Sequence, residues 1–91
     1  MKLKFFAGYR DITNCKETDI PAPPDVWTLL IRLSECYGKD FRKEIFTPDG
    51  LDISDEVILL VNGRNISFLD GRTTALSETD IVSIFPVVAG G

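Results

Sequence analysis

Residues 21–38 read PAPPDVWTLLIRLSECYG, and they hold the clearest helix in the chain. Prolines force an extended lead-in, and Asp25 has the short carboxylate that caps free N–H groups at a helix start. Val26, Leu29, Leu30, Leu33 and Tyr37 recur at helical spacing, with Cys36 beside them, so one apolar stripe runs along one face. Gly38 is the natural C-cap. A helix with a single apolar stripe needs a surface to cover, and the segments on either side supply strands.

Upstream, KLKFFA (2–7) sets Lys2, Lys4 and Phe6 against Leu3, Phe5 and Ala7. This period-two alternation predicts a strand with Leu3 and Phe5 inward. GYRDITN (8–14) reads as a turn with polar breakers, and CKETDIP (15–21) as a short edge strand that proline closes. Downstream, KDFRKEIF (39–46) adds a short helical piece through Phe41 and Ile45, and TPDG (47–50) turns the chain. EVILLVNGRNISF (56–68) reads as a hairpin, because Asn62-Gly63 is the strongest short turn signal available. LDGRTTALSETD (69–80) is loop or a single helical turn. DIVSIFP (80–86) is the last strand, ended by Pro86. The order strand, strand, helix, strand, strand, strand predicts an α+β fold, one main helix packed across a mixed sheet of about five strands. No repeat or linker divides it, so residues 1–91 are expected to form one domain, with 87–91 as a flexible C-terminal tail.

The composition closes off several functions. With 10 basic against 14 acidic residues, the net charge is −4. That speaks against nucleic acid, whose phosphates are held by Lys and Arg, and better suits a basic protein partner. The mean hydropathy of +0.07 is that of an ordinary globule. No apolar stretch approaches the roughly 20 residues that span a bilayer, so no membrane association is expected. The run at Phe5–Ala7 is too short for a signal-peptide core, which makes a cytoplasmic location the expectation. The chain has no histidine, which removes the commonest general base and any Ser-His or Cys-His nucleophilic pair. Cys15 and Cys36 lack metal-ligand spacing and read as free structural thiols.

Two features remain. If Val82 and Ile84 form the core face of the last strand, then Ile81, Ser83 and Phe85 point away from the helix. Phe6, opposite Leu3 and Phe5, does the same. Neighbouring first and last strands would then carry an exposed aromatic pair, and exposed apolar patches mark interfaces. The alternatives are a covering loop or an inverted inward face. The second feature is the ending, SIFPVVAGG (83–91), where a frayed terminus competes with a working one. Trp27 reads as packing or semi-exposed, and Arg10, Arg64 and Arg72 as solvated charge. Asp49, Asp52, Asp55 and Glu56 lack the EF-hand pattern and are not taken as a calcium site.

The strand KLKFFA, the helix DVWTLLIRL, the VNG hairpin, the run LSETDIVSIFP and the final Gly90-Gly91 together resemble the MoaD/ThiS sulfur carriers of the ubiquitin-like superfamily, in particular the small subunit of molybdopterin synthase. The resemblance covers nearly the whole chain. It implies a β-grasp fold with the first and last strands side by side and parallel at the sheet centre. It also implies that the carboxylate of Gly91 is adenylated by a ubiquitin-activating-type adenylyltransferase (MoeB-like) and converted to a thiocarboxylate. ATP and Mg would be used by that partner, with no cofactor bound by this chain and no catalysis by the chain alone. The acceptor complex would be a heterotetramer with a molybdopterin synthase large subunit (MoaE-like).

On this reading Gly90 and Gly91, lacking Cβ, enter a narrow partner channel. Phe6, Phe85, Pro86, Val87, Val88 and Ala89 form the partner-binding set. The five residues after Pro86 reach roughly 15–18 Å at about 3.3–3.6 Å each. Family tails commonly read Phe-Pro-Pro-Val-Ser-Gly-Gly, whereas this one reads Phe-Pro-Val-Val-Ala-Gly-Gly. That departure keeps thiamine, cysteine and tungsten-cofactor synthesis open as alternatives, beside a ubiquitin-like protein modifier or binding module.

Overall fold

The computed structural model describes residues 1–87. Ten elements follow one another: β1 (Lys2–Phe5), α1 (Gly8–Thr13), β2 (Glu17–Asp19), α2 (Val26–Tyr37), α3 (Lys39–Ile45), β3 (Val57–Val61), β4 (Arg64–Asn65), two 3-10 turns (Ile66–Phe68 and Gly71–Thr73) and β5 (Ile81–Pro86). The sheet order is β2-β1-β5-β3-β4. The first and last strands are parallel neighbours at its centre, with Leu3 opposite Val82 and Phe5 opposite Ile84. β3 returns antiparallel on the other side of β5, with Leu59 opposite Ile84. This is the β-grasp arrangement that the family resemblance implied.

The alternation in β1 and β5 explains how the sheet meets α2. Leu3, Phe5, Val82 and Ile84 are fully buried on one face, against Val26, Leu29 and Leu30 of α2. Each such side chain contributes roughly 1.5–3 kcal/mol on burial. α2 starts where the sequence places it: Asp25 accepts a hydrogen bond from the Thr28 N–H at 2.8 Å. That bond to the backbone N–H holds the Asp25 carboxyl below its ordinary pKa. The helix ends at Gly38, whose φ of 85° lies in the region that favours glycine. The lead-in is paired rather than free, because Val26 N–H donates to Thr74 O and Leu76 N–H to Pro24 O. α3 buries Phe41 and Ile45 completely.

Four expectations change. Residues 8–13, read as a turn, form α1, because Tyr9 and Thr13 stand one helical turn apart and both are buried. The helix stops at Asn14, which takes a left-handed conformation at φ 53°. Cys36, placed beside the apolar stripe, is exposed, and both cysteines are free thiols. The pairing of β5 does not stop at Pro86, since Val87 N–H donates to the Glu56 carbonyl at 2.9 Å. Arg72, read as solvated charge, lies 4.8 Å over the Trp27 ring and donates from Nη1 to the Leu51 carbonyl at 2.6 Å.

Candidate functional site

The parallel register that places Phe5 opposite Ile84 sets the next residues, Phe6 and Phe85, side by side on the far face of the sheet. Phe6 N–H donates to the Ile84 carbonyl at 3.1 Å, which carries the ladder one step past β1. The two rings meet edge to face, centroids 5.6 Å apart and planes at 85°, the geometry their quadrupoles favour. Phe6 is 36% exposed and Phe85 is half-buried. Neither side chain belongs to the core, and the inward face is the one formed by Leu3, Phe5, Val82 and Ile84.

Residues not singled out in the sequence widen this surface. Ile58 pairs with Phe85 and Leu60 with Ser83 across the β3–β5 ladder, and both are half-buried. Ile81, at the start of β5, is 43% exposed. An apolar stripe therefore crosses three strands, bordered by Lys2 and Lys4, which alternate outward along β1. Lys2 reaches Glu17 of β2 at 3.8 Å. The signal in the sequence is the unbroken run VILLV (57–61): a strand apolar at every position has apolar groups on both faces.

The stripe lies beside the place where β5 delivers the chain end. Pro86 pairs with Val57 and is half-buried, and Val87 is 48% exposed. Val88, Ala89, Gly90 and Gly91, on which the tail reading rests, lie outside the described residues. At the opposite end of β5, the Asn62 side chain ties the hairpin turn to the strand start. Its Nδ2 donates to Asp80 at 2.9 Å, and its Oδ1 accepts from the Ile81 N–H at 2.9 Å. The Asn62 bond, with a further one from Ser77, holds the Asp80 carboxyl below its usual pKa.

The acidic loop is structural. Asp49 accepts from the Thr47 hydroxyl and the Leu51 N–H, which lowers its pKa, and Asp52 accepts from the Ile53 N–H. Among the described residues, no three His, Cys, Asp or Glu side chains gather where they could hold a metal ion. No helix there is long and apolar enough to cross a membrane. The arrangement sets a partly exposed apolar surface beside the end of β5.

A mixed five-stranded sheet with parallel central strands, one main helix across one face and an apolar stripe on the other defines a ubiquitin-like β-grasp protein. Within that class the chain belongs to the ThiS family, whose sequence profile matches residues 3–91; it is thus one of the sulfur carriers and ubiquitin-like modifiers. It is 37% identical over 93 aligned residues to small archaeal modifier protein 3 of Haloferax volcanii, across 100% of this chain and 98% of that one. Its structure matches small archaeal modifier protein 1 of Methanosarcina acetivorans with a TM-score of 0.82 and 28% identity, over 99% of this chain and 94% of the other. It also matches the protein assigned as molybdopterin converting factor, subunit 1, of Pyrococcus furiosus. There the TM-score is 0.73 and the identity 27%, over 96% of this chain and 95% of that one.

Proposed function

We propose that this protein is a sulfur carrier that works from Gly91, docks its partners through the Phe6–Phe85 stripe, and supplies sulfur for molybdopterin synthesis in the cytoplasm. The observation that carries the reading is the adjacency of that stripe to the end of β5. A partner seated on Phe6 and Phe85 also receives whatever follows Val87, so docking and delivery of the chain end are one event.

The chemistry asks little of the carrier itself. A carboxylate is a poor electrophile. Its attack on the α-phosphorus of ATP releases pyrophosphate and gives an acyl-adenylate, with ATP and Mg held by a MoeB-like adenylyltransferase. Hydrosulfide, or an equivalent sulfide-level donor, then attacks the acyl carbon and displaces AMP, leaving a thiocarboxylate at Gly91. A MoaE-like large subunit, assembled with the carrier as a heterotetramer, accepts the sulfur. The carrier contributes no acid or base, which suits a chain without histidine. Gly90 and Gly91 suit passage through a narrow channel, where a Cβ would meet the walls.

A second reading is favoured by the relationship to small archaeal modifier protein 3, which spans the whole chain: the same activated carboxylate forms isopeptide bonds to lysines. Intact-mass measurement of the protein isolated from its own cells separates the two. A carrier shows a species in which one oxygen is replaced by sulfur. A modifier shows conjugates joined through Gly91, and a pure binding module shows neither. Co-purification of a molybdopterin synthase large subunit supports the pathway, and co-purification of a thiamine or cysteine enzyme overturns it. Gly91→Val is expected to abolish the sulfur-bearing species while leaving the fold intact.

A further inference from the structure

The charge of this acidic chain is unevenly spread. α3, KDFRKEI, separates its side chains into three faces: Phe41 and Ile45 are buried, Asp40 and Glu44 share one exposed face, and Lys39, Arg42 and Lys43 share another. The basic face lines an open groove of about 750 Å3, together with Phe46 and Pro48 and with Asp55 and Glu56. Asp40 and Glu44 are not among its lining residues. Neither ion pair formed among the described residues uses Lys39, Arg42 or Lys43. The groove also borders the strand end, because the carbonyl of Glu56 is the group that accepts the Val87 N–H.

We propose that this groove binds an acidic segment of a partner protein, an extended peptide that sets carboxylates against Lys39, Arg42 and Lys43 and an apolar side chain against Phe46 and Pro48. Complementarity of charge selects the occupant. The chain as a whole, at −4, repels an acidic partner, and the basic face of α3 offsets that repulsion locally. A polyphosphate or nucleic acid fits less well: a continuous polyanion must also pass Asp55 and Glu56, whereas a peptide can place a neutral residue there. The inference goes beyond the carrier reading, since it uses neither Gly91 nor the Phe6–Phe85 stripe, and it stands if the tail chemistry fails.

The test is an amide NMR titration of the full chain with a blocked hexapeptide alternating glutamate and leucine. Shifts are expected in residues 39–56 and at Val87, with an affinity that falls as salt is added. The variant K39E/R42E/K43E should weaken binding about tenfold or more. All three residues are exposed, so its spectrum should stay folded, and K39Q/R42Q/K43Q serves as the milder control. A hexapeptide with lysine in place of glutamate should not bind. Shifts centred on Phe6 and Phe85, unchanged affinity in the charge-reversed variant, equal binding of tripolyphosphate, or displacement of the peptide by self-association of the chain would each overturn the proposal.

Discussion

Phe5 and Phe6 are consecutive, yet they belong to opposite faces of one sheet. Phe5 is fully buried and meets Tyr37 and Phe41 edge to face, at 5.7 and 6.2 Å between centroids. Phe6 is 36% exposed and meets Phe85 in the same geometry. Truncating them should therefore separate stability from binding. Phe5→Ala is expected to cost about 3–5 kcal/mol of folding free energy, as large-to-small core changes do. Phe6→Ala should cost about 1 kcal/mol, the scale of an exposed aromatic pair. In an adenylation assay with the activating partner, Phe6→Ala should instead lower kcat/KM by about tenfold or more, as truncation of an aromatic anchor does. Urea melts beside pyrophosphate-exchange kinetics check both halves.

Asn62 holds the hairpin by two separable means. Its backbone sits at φ 52°, where most residues with a Cβ are strained by about 1–2 kcal/mol. Its side chain bonds Asp80 and the Ile81 N–H, each bond worth about 0.5–1.5 kcal/mol. Asn62→Gly loses the side-chain bonds alone, whereas Asn62→Ala loses them and adds backbone strain. Stability should fall in the order wild type, Asn62→Gly, Asn62→Ala. Denaturant midpoints at constant m-value provide the comparison.

The alternating residues of β1 and β5 and the stripe of α2 make the sheet faces legible in the sequence, because both periods are fixed by backbone geometry. That Phe6 meets Phe85 needs the parallel β1–β5 pairing, which only the family resemblance implied. α1 is not legible. Over six residues a single apolar turn, Tyr9 to Thr13, competes with glycine and polar breakers, and tertiary burial decides. Ile58 and Leu60 are hidden for another reason: in a run apolar throughout, periodicity cannot say which residues face the helix. The stacking of Arg72 on Trp27 joins residues 45 positions apart, a contact that no local pattern encodes. The basic groove needs the loop after α3 to close its second side.

Stability should depend on pH at both extremes, with opposite signs. Asp80 has its carboxyl lowered by the Asn62 side chain first and by Ser77 next. A lowered folded pKa stabilises above the ordinary value of 3.8 and is lost as pH falls through the folded one. Asp80→Asn should flatten the acid limb of the stability profile. Tyr9 is pushed up from 10.0 to about 12 by burial, and further by the charges of Glu44 and Glu56. Its contribution is present below pH 10 and lost as pH rises towards 12. Tyr9→Phe should remove that alkaline loss, and the difference in tyrosinate absorbance between the two proteins should place the missing titration near the raised value.

The Arg72 guanidinium ties three segments that share no secondary structure. It lies over Trp27 near the start of α2, bonds the carbonyl of Leu51 in the loop after α3, and belongs to the second 3-10 turn. Trp27 itself meets Phe46 edge to face at 5.2 Å between centroids, so the arginine, the indole and the phenyl ring form one run of contacts. Arg72→Ala removes both the cation–π contact and the bond to Leu51, together worth about 1–2 kcal/mol at a partly exposed site. Arg72→Lys keeps the charge but not the planar fork that can stack and donate at once, and it should recover less than half of the loss. Because the loop from Thr47 to Ile53 would be released while the sheet remains, amide exchange should quicken there first. A red shift of Trp27 emission should accompany it, and unchanged protection in β1 and β5 would show that the tie is local.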